Sequence, residues 1–228
     1  NIAVAANVSY AMPSLIKEFN KLYPDTKVKV TLGSSGKLTA QISHGAPYHI
    51  FMSADMDYPE ALYKKQIAIT KPIVYAKGGL AMLSSKRKDF SKNIAILTDK
   101  NIKKIAIANP KTAPYGKASV EAFKNAKIYQ TIKKKLVFSE SISQTVSYAV
   151  TATDIGLIAK SSLFSPQMKK FIKDIHWIGV DNKLYTPINQ GVVLLKKAKN
   201  NRNANDFYRF IVSKKAKKIL NEFGYEVP

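Results

Sequence analysis

Short apolar runs of strand length alternate with longer stretches of helical period along almost the whole chain. That is the pattern of an α/β protein built on mainly parallel sheets. Strands are predicted at residues 2–6, 27–32, 50–53, 73–75, 80–84, 104–108, 136–138, 155–159, 175–178 and 191–196. In the second of these Val28, Val30 and Leu32 alternate with polar neighbours, as in a strand with one buried face. Helices are predicted over 10–22, 37–44, 58–65, 116–124, 129–135, 143–150, 165–173, 205–213 and 215–223. The first carries Met12, Leu15, Ile16, Phe19 and Leu22 on one face, with Ser9 placed to cap it and Pro13 in its first turn.

No repeat, low-complexity tract or Gly/Ser-rich linker interrupts this alternation. Two extended, turn-punctuated stretches organise it instead, "KPIVYAKGGLAML" at 71–83 and "LYTPINQGVVLL" at 184–195. As crossover strands they put residues 1–76 and 190–228 in one lobe and 77–189 in the other. Two strands joining two α/β lobes make a hinge, and the cleft between the lobes is the expected ligand site.

At 228 residues and 46% hydrophobic, the chain can bury one large core or two moderate ones. Lys and Arg outnumber Asp and Glu by 37 to 15, a formal charge of +22, which suits nucleic acid, an anionic membrane surface or small anions. Arginine occurs only at Arg87, Arg202 and Arg209, and reading bases or forking phosphates calls for more guanidinium. The basic runs at 133–135 and 213–220 fall on the solvent faces of predicted helices with no aromatic platform among them, which argues against nucleic acid as a partner. The chain has no cysteine, so neither disulfides nor thiolate chemistry is available. Its three histidines, His44, His49 and His176, lack carboxylates at metal-ligand spacing, and no cation site or cofactor is expected. No stretch is long and apolar enough to span a membrane. The chain starts without Met inside a predicted strand, so a removed amino-terminal segment is expected.

Catalytic motifs fail on spacing. Gly33 and Gly36 are too close for a phosphate-binding loop, and Leu38 stands where that loop needs Ser or Thr after Lys37. No nucleophile elbow is present, and Asp55 and Asp154 read as a cap and a turn residue rather than general bases. The chain is therefore expected not to be an enzyme.

What does stand out is a recurrent device: a strand that ends in small or polar residues and feeds a helix. It occurs at "VAANVSYAM" (4–12), "GSSGKLTAQISHG" (33–45), "IANPKTAPYGKAS" (107–119) and "FSESISQTVSYA" (138–149). Each presents unpaired amides at a helix start, where the helix dipole favours an anion. Each also offers a neutral side-chain donor: Asn7 or Ser9, Ser34 or Ser35, Tyr115, and Ser141 or Ser143. Two of these starts lie in each expected lobe. Neutral donors on several helix ends can satisfy a tetrahedral dianion without burying a full cation beside it.

The segments "GSSGKLTAQISHGAP" with "IFMSAD", "IANPKTAPYG" and the "DIGLIA" strand together resemble the periplasmic molybdate-binding proteins of ABC importers, within the type II solute-binding superfamily. The resemblance covers essentially the whole chain. It implies a two-lobe fold that captures molybdate or tungstate, without a cofactor, and delivers it to a membrane permease. It also implies a periplasmic or lipid-anchored location and a monomer. Carried over by position, the ligand donors would be Ala6, Asn7, Ser35, Tyr115 and the backbone amide of Ile142, with Ser9 and Ser34 as rivals. Ala159 stands where some relatives have a tyrosine, which points to Tyr115 as the source of the phenol. A sulfate- or phosphate-type binder of the same architecture is the alternative.

Overall fold

The computed structural model describes residues 1–228. The chain opens with β1 (Ile2–Ala5), a 3-10 turn (Ala6–Val8), α1 (Met12–Asn20), β2 (Val30–Gly33), α2 (Ser35–Ser43), β3 (Ile50–Met52), α3 (Asp57–Lys64) and β4 (Ile73–Gly78). There follow β5 (Leu80–Leu83), β6 (Ile105–Ala108), α4 (Pro114–Asn125), α5 (Tyr129–Ile132), β7 (Leu136–Ser139), α6 (Ile142–Thr151), β8 (Ile155–Ala159) and β9 (Trp177–Gly179). The chain closes with β10 (Ile188–Leu194), α7 (Arg202–Ile211) and α8 (Lys214–Glu222). It divides into two compact units: Asn1–Gly78 with Asn189–Pro228, and Gly79–Ile188.

The first unit holds a five-stranded sheet in the order β2-β1-β3-β10-β4. Strands β2, β1 and β3 are parallel, and β10 runs antiparallel to β3. Strand β1 is buried along its whole length, as a central parallel strand covered on both faces must be. Its residues alternate between two cores. Ile2 and Val4 face a cluster with Leu15 and Phe19 of α1, Phe207 and Phe210 of α7, and Leu220 of α8. Ala3 faces Leu38, Phe51, Leu62 and Val193 on the other side. Phe19 and Phe207 meet edge to face with ring centroids 4.9 Å apart.

The second unit holds the order β7-β6-β8-β5-β9. Here β7, β6 and β8 are parallel, while β5 is antiparallel to both β8 and β9. One face of this sheet packs Ala81, Leu83 and Ile158 against Val146 and Ala149 of α6, with Leu163, Met168 and Phe171 alongside. Gly156 brings α6 close, for a Cβ there would sit 2.6 Å from that of Ala149. No helix is long and apolar enough to cross a membrane.

All ten predicted strands form, and three local expectations are corrected. Residues 165–173 make no α-helix, only the 3-10 turn Pro166–Met168. Side chains there capture the backbone groups a helix would use: Trp177 Nε1 donates to the Phe171 carbonyl at 3.0 Å, and the Ile172 amide donates to His176 Nδ1 at 3.1 Å. Ser9 does not cap α1, because the chain enters that helix directly from the preceding 3-10 turn through Ala11. Helix α1 also stops at Asn20, which leaves Leu22 exposed rather than on the buried face.

Candidate functional site

In both sheets the three parallel strands end at one edge, and each sends its chain into a helix or turn there. Outside that edge is where open α/β sheets hold their ligands. In the first unit Ala5 lies opposite Gly33, and Val4 opposite Met52. The residues that follow, Ala6 and Asn7, Ser34 and Ser35, and Ser53 and Ala54, are therefore neighbours at one rim.

Ala6 and Asn7 open the 3-10 turn, and the first amides of a helix have no partner within it. Ser35 is the first residue of α2, two residues earlier than the apolar pattern suggests, so its amide is also an opening one. Its hydroxyl oxygen accepts the Ala54 amide at 3.0 Å, which leaves the hydroxyl hydrogen to be donated elsewhere. Ser34, the N-cap of α2, makes no side-chain capping bond. Its hydroxyl oxygen is buried, at 4% residue exposure, and has no hydrogen-bond partner. Such a group costs about 1–3 kcal/mol unless something arrives to satisfy it. Ser9 is half-buried, and its amide is spent on the Ala6 carbonyl. Lys37 is exposed.

The Asn7 carboxamide, expected as a donor, is engaged inside the protein. Its Nδ2 donates to Gln190 Oε1 at 2.8 Å and to the Tyr225 hydroxyl at 3.1 Å. Tyr225 in turn donates to the Asn7 carbonyl at 2.8 Å. Tyr75 shares its hydroxyl hydrogen between Gln190 Oε1 at 2.9 Å and the Ser53 carbonyl at 3.3 Å. Burial, and after it the neighbouring Tyr225, pushes the Tyr75 phenol well above its ordinary pKa, so it remains a protonated donor. Sequence reasoning missed Tyr75, Gln190 and Tyr225; an alternating strand pattern marks Tyr75 and Gln190 only as strand residues.

The second unit repeats the device. Ala108 at the end of β6 lies opposite Ser139 at the end of β7. Tyr115 sits in the first turn of α4 and is 1% exposed. Gly116 follows it, and a Cβ there would collide with the Ala108 carbonyl, so α4 starts hard against the end of β6 only because that position is glycine. Ile142 is the first residue of α6, and its amide is an opening one. Ser141 caps the same helix by accepting the Gln144 amide at 3.4 Å, while Gln144 Oε1 accepts the Glu140 amide at 2.7 Å. Ser141 and Ser143 also bond each other through their hydroxyls at 3.1 Å.

The two aspartates have structural partners. Asp55 Oδ1 accepts from the Ser53 hydroxyl and the Tyr58 amide at the start of α3. Asp154 Oδ2, before the amino end of β8, accepts the Lys103 and Lys104 amides at 2.8 and 2.9 Å. Partial burial acts to raise its pKa, but those two amides and the nearby Lys88 and Lys86 outweigh it and hold the carboxyl below the ordinary value.

Residues 1–226 match the family model described as "Bacterial extracellular solute-binding protein". The chain is 33% identical to the molybdate-binding protein ModA of Azotobacter vinelandii over 98% of this chain and 88% of that one. It is 32% identical to the molybdate-binding protein ModA of Rhodobacter capsulatus, over 98% and 86% of the two chains. Among solved structures, the Azotobacter vinelandii periplasmic molybdate-binding protein superposes with a TM-score of 0.91 at 29% identity, covering 100% of this chain and 98% of that one.

Proposed function

Because the chain belongs to the bacterial extracellular solute-binding protein family, we propose that it captures molybdate, and with it tungstate, outside the cytoplasm and hands the ion to an ABC permease, with no catalytic step. Support comes from relatives named for molybdate binding that match nearly the whole chain. The observation that carries the reading to this chain's own residues is that neutral donors gather at the strand ends of each unit, taken by itself. In the first unit they are the amides of Ala6, Asn7 and Ser35 and the Ser34 and Ser35 hydroxyls. In the second they are Tyr115 and the Ile142 amide.

A tetrahedral dianion accepts many hydrogen bonds, and bonds to a charged acceptor are stronger than neutral ones. Helix-start amides add partial positive charge without a desolvated lysine, so the ion is held yet can be released. Donors on rigid elements keep fixed spacings, so a cavity of the right size can select the larger molybdate or tungstate over sulfate. The +22 charge raises the encounter rate with a dianion, an effect that salt screens.

Titration with molybdate, tungstate, sulfate and phosphate in a calorimeter, alongside thermal melts, tests the reading. The first two should bind at one site and stabilise by about 2.7 kcal/mol at a hundredfold excess over Kd. Sulfate and phosphate should do little at matched concentration. Equal responses to all four would remove the selectivity, and no response to any would remove the oxyanion reading.

A further inference from the structure

Resting on that reading, we propose that Tyr225 and Tyr75 are positioning residues for the oxyanion, acting through Asn7 and the Ser53–Ala54 peptide rather than by touching the ion. Tyr225 grips Asn7 at two points. It donates to the backbone carbonyl at 2.8 Å and accepts from the carboxamide at 3.1 Å. Tethering Asn7 at both its main chain and its side chain pins the three-residue turn Ala6–Val8, so its opening amides keep their aim. The other carboxamide hydrogen runs to Gln190, whose Oε1 also receives the Tyr75 hydroxyl.

Tyr75 reaches the second ligand turn as well. The Ser53 carbonyl it bonds and the Ala54 amide belong to one peptide group, and that amide donates to the Ser35 hydroxyl oxygen. A carbonyl that accepts makes its own N–H a stronger donor, and a hydroxyl that accepts donates more strongly in turn. The order Tyr75, peptide, Ser35, ion is therefore a chain of hydrogen bonds all pointing one way. All three protein groups are buried, so water does not short-circuit it.

The test is Tyr225→Phe and Tyr75→Phe, which keep the rings and remove only the hydroxyls. Each should raise the Kd for molybdate about tenfold, carried mainly by faster dissociation in stopped-flow experiments. Each should also shrink the ratio of molybdate to sulfate affinity, because loosened donors discriminate less by size. Ile211→Val, in the core of the same unit, serves as the stability control: a lower melting temperature with unchanged Kd shows that stability alone does not move the affinity. If one tyrosine variant fails to fold, the other decides. Wild-type affinity and selectivity in the folded variants overturn the positioning role. Absence of binding to all four oxyanions by the wild type overturns the underlying functional reading instead.

Discussion

The Ala54 amide donates to the hydroxyl oxygen of Ser35 at 3.0 Å, across 19 residues of sequence. That bond fixes which way the serine faces: its oxygen is turned to the protein and its hydrogen away from it. Ser35→Ala removes the donor and strands the Ala54 amide. Affinity for molybdate should fall at least tenfold, on the order of 1.5–3 kcal/mol for a hydrogen bond to a charged group. Calorimetric titration reads this directly, and an unchanged Kd would mean that Ser35 is not a donor.

Ser34→Ala separates binding from stability by sign. The buried hydroxyl has no partner in the protein, so its removal should leave the ligand-free melting temperature equal or higher. Molybdate affinity should fall in the same variant. A drop in both quantities would assign Ser34 a structural role only.

Gly116→Ala forces a methyl group against the Ala108 carbonyl, which is backbone and cannot swing aside. The start of α4 must move, carrying Tyr115 with it, at a cost of about 1–3 kcal/mol typical of overpacking. Urea melts and ligand titration should both register the change. Gly179→Ala meets no atom within 4 Å and should leave both nearly unchanged.

Asp154 supplies a pH dependence. Its folded pKa is depressed, so its contribution to stability is complete above the unfolded aspartate value of about 3.9 and is lost as pH falls through the lower folded value. Thermal melts of Asp154→Ala and wild type should differ at neutral pH and converge in strong acid. A difference that stays constant down to pH 2 would show that the carboxylate charge is irrelevant.

Strand positions were legible because burial on one or both faces leaves alternating or continuous apolar runs. Strand β1, buried along its whole length, shows the continuous case. In the alternating row Val28, Val30 and Leu32 the structure leaves Leu32 48% exposed, so the alternation located β2 without predicting its burial. The helix starts were legible as chemistry, since Gly, Ser and Asn cluster where strands end. Their boundaries were not. Ser35 opens α2 and Ser34 stands at its N-cap position although no apolar residue lies between them and Leu38, so periodicity places the helix start too late. Residues 165–173 have helical spacing, but Trp177 and His176 claim the backbone there, and that competition is tertiary. The Asn7 network lay beyond sequence reasoning for the same cause, because its bonds join residues 183 and 218 positions apart.

The second unit is one uninterrupted stretch of chain, whereas the first is assembled from both ends. A polypeptide emerging amino end first can therefore finish its middle while Asn7 still waits for Tyr225, 218 positions later in the sequence. The turn made earliest is locked last. Removing Tyr225, or attaching a fusion that pulls it away from Asn7, would leave the rim of the first unit formed but slack.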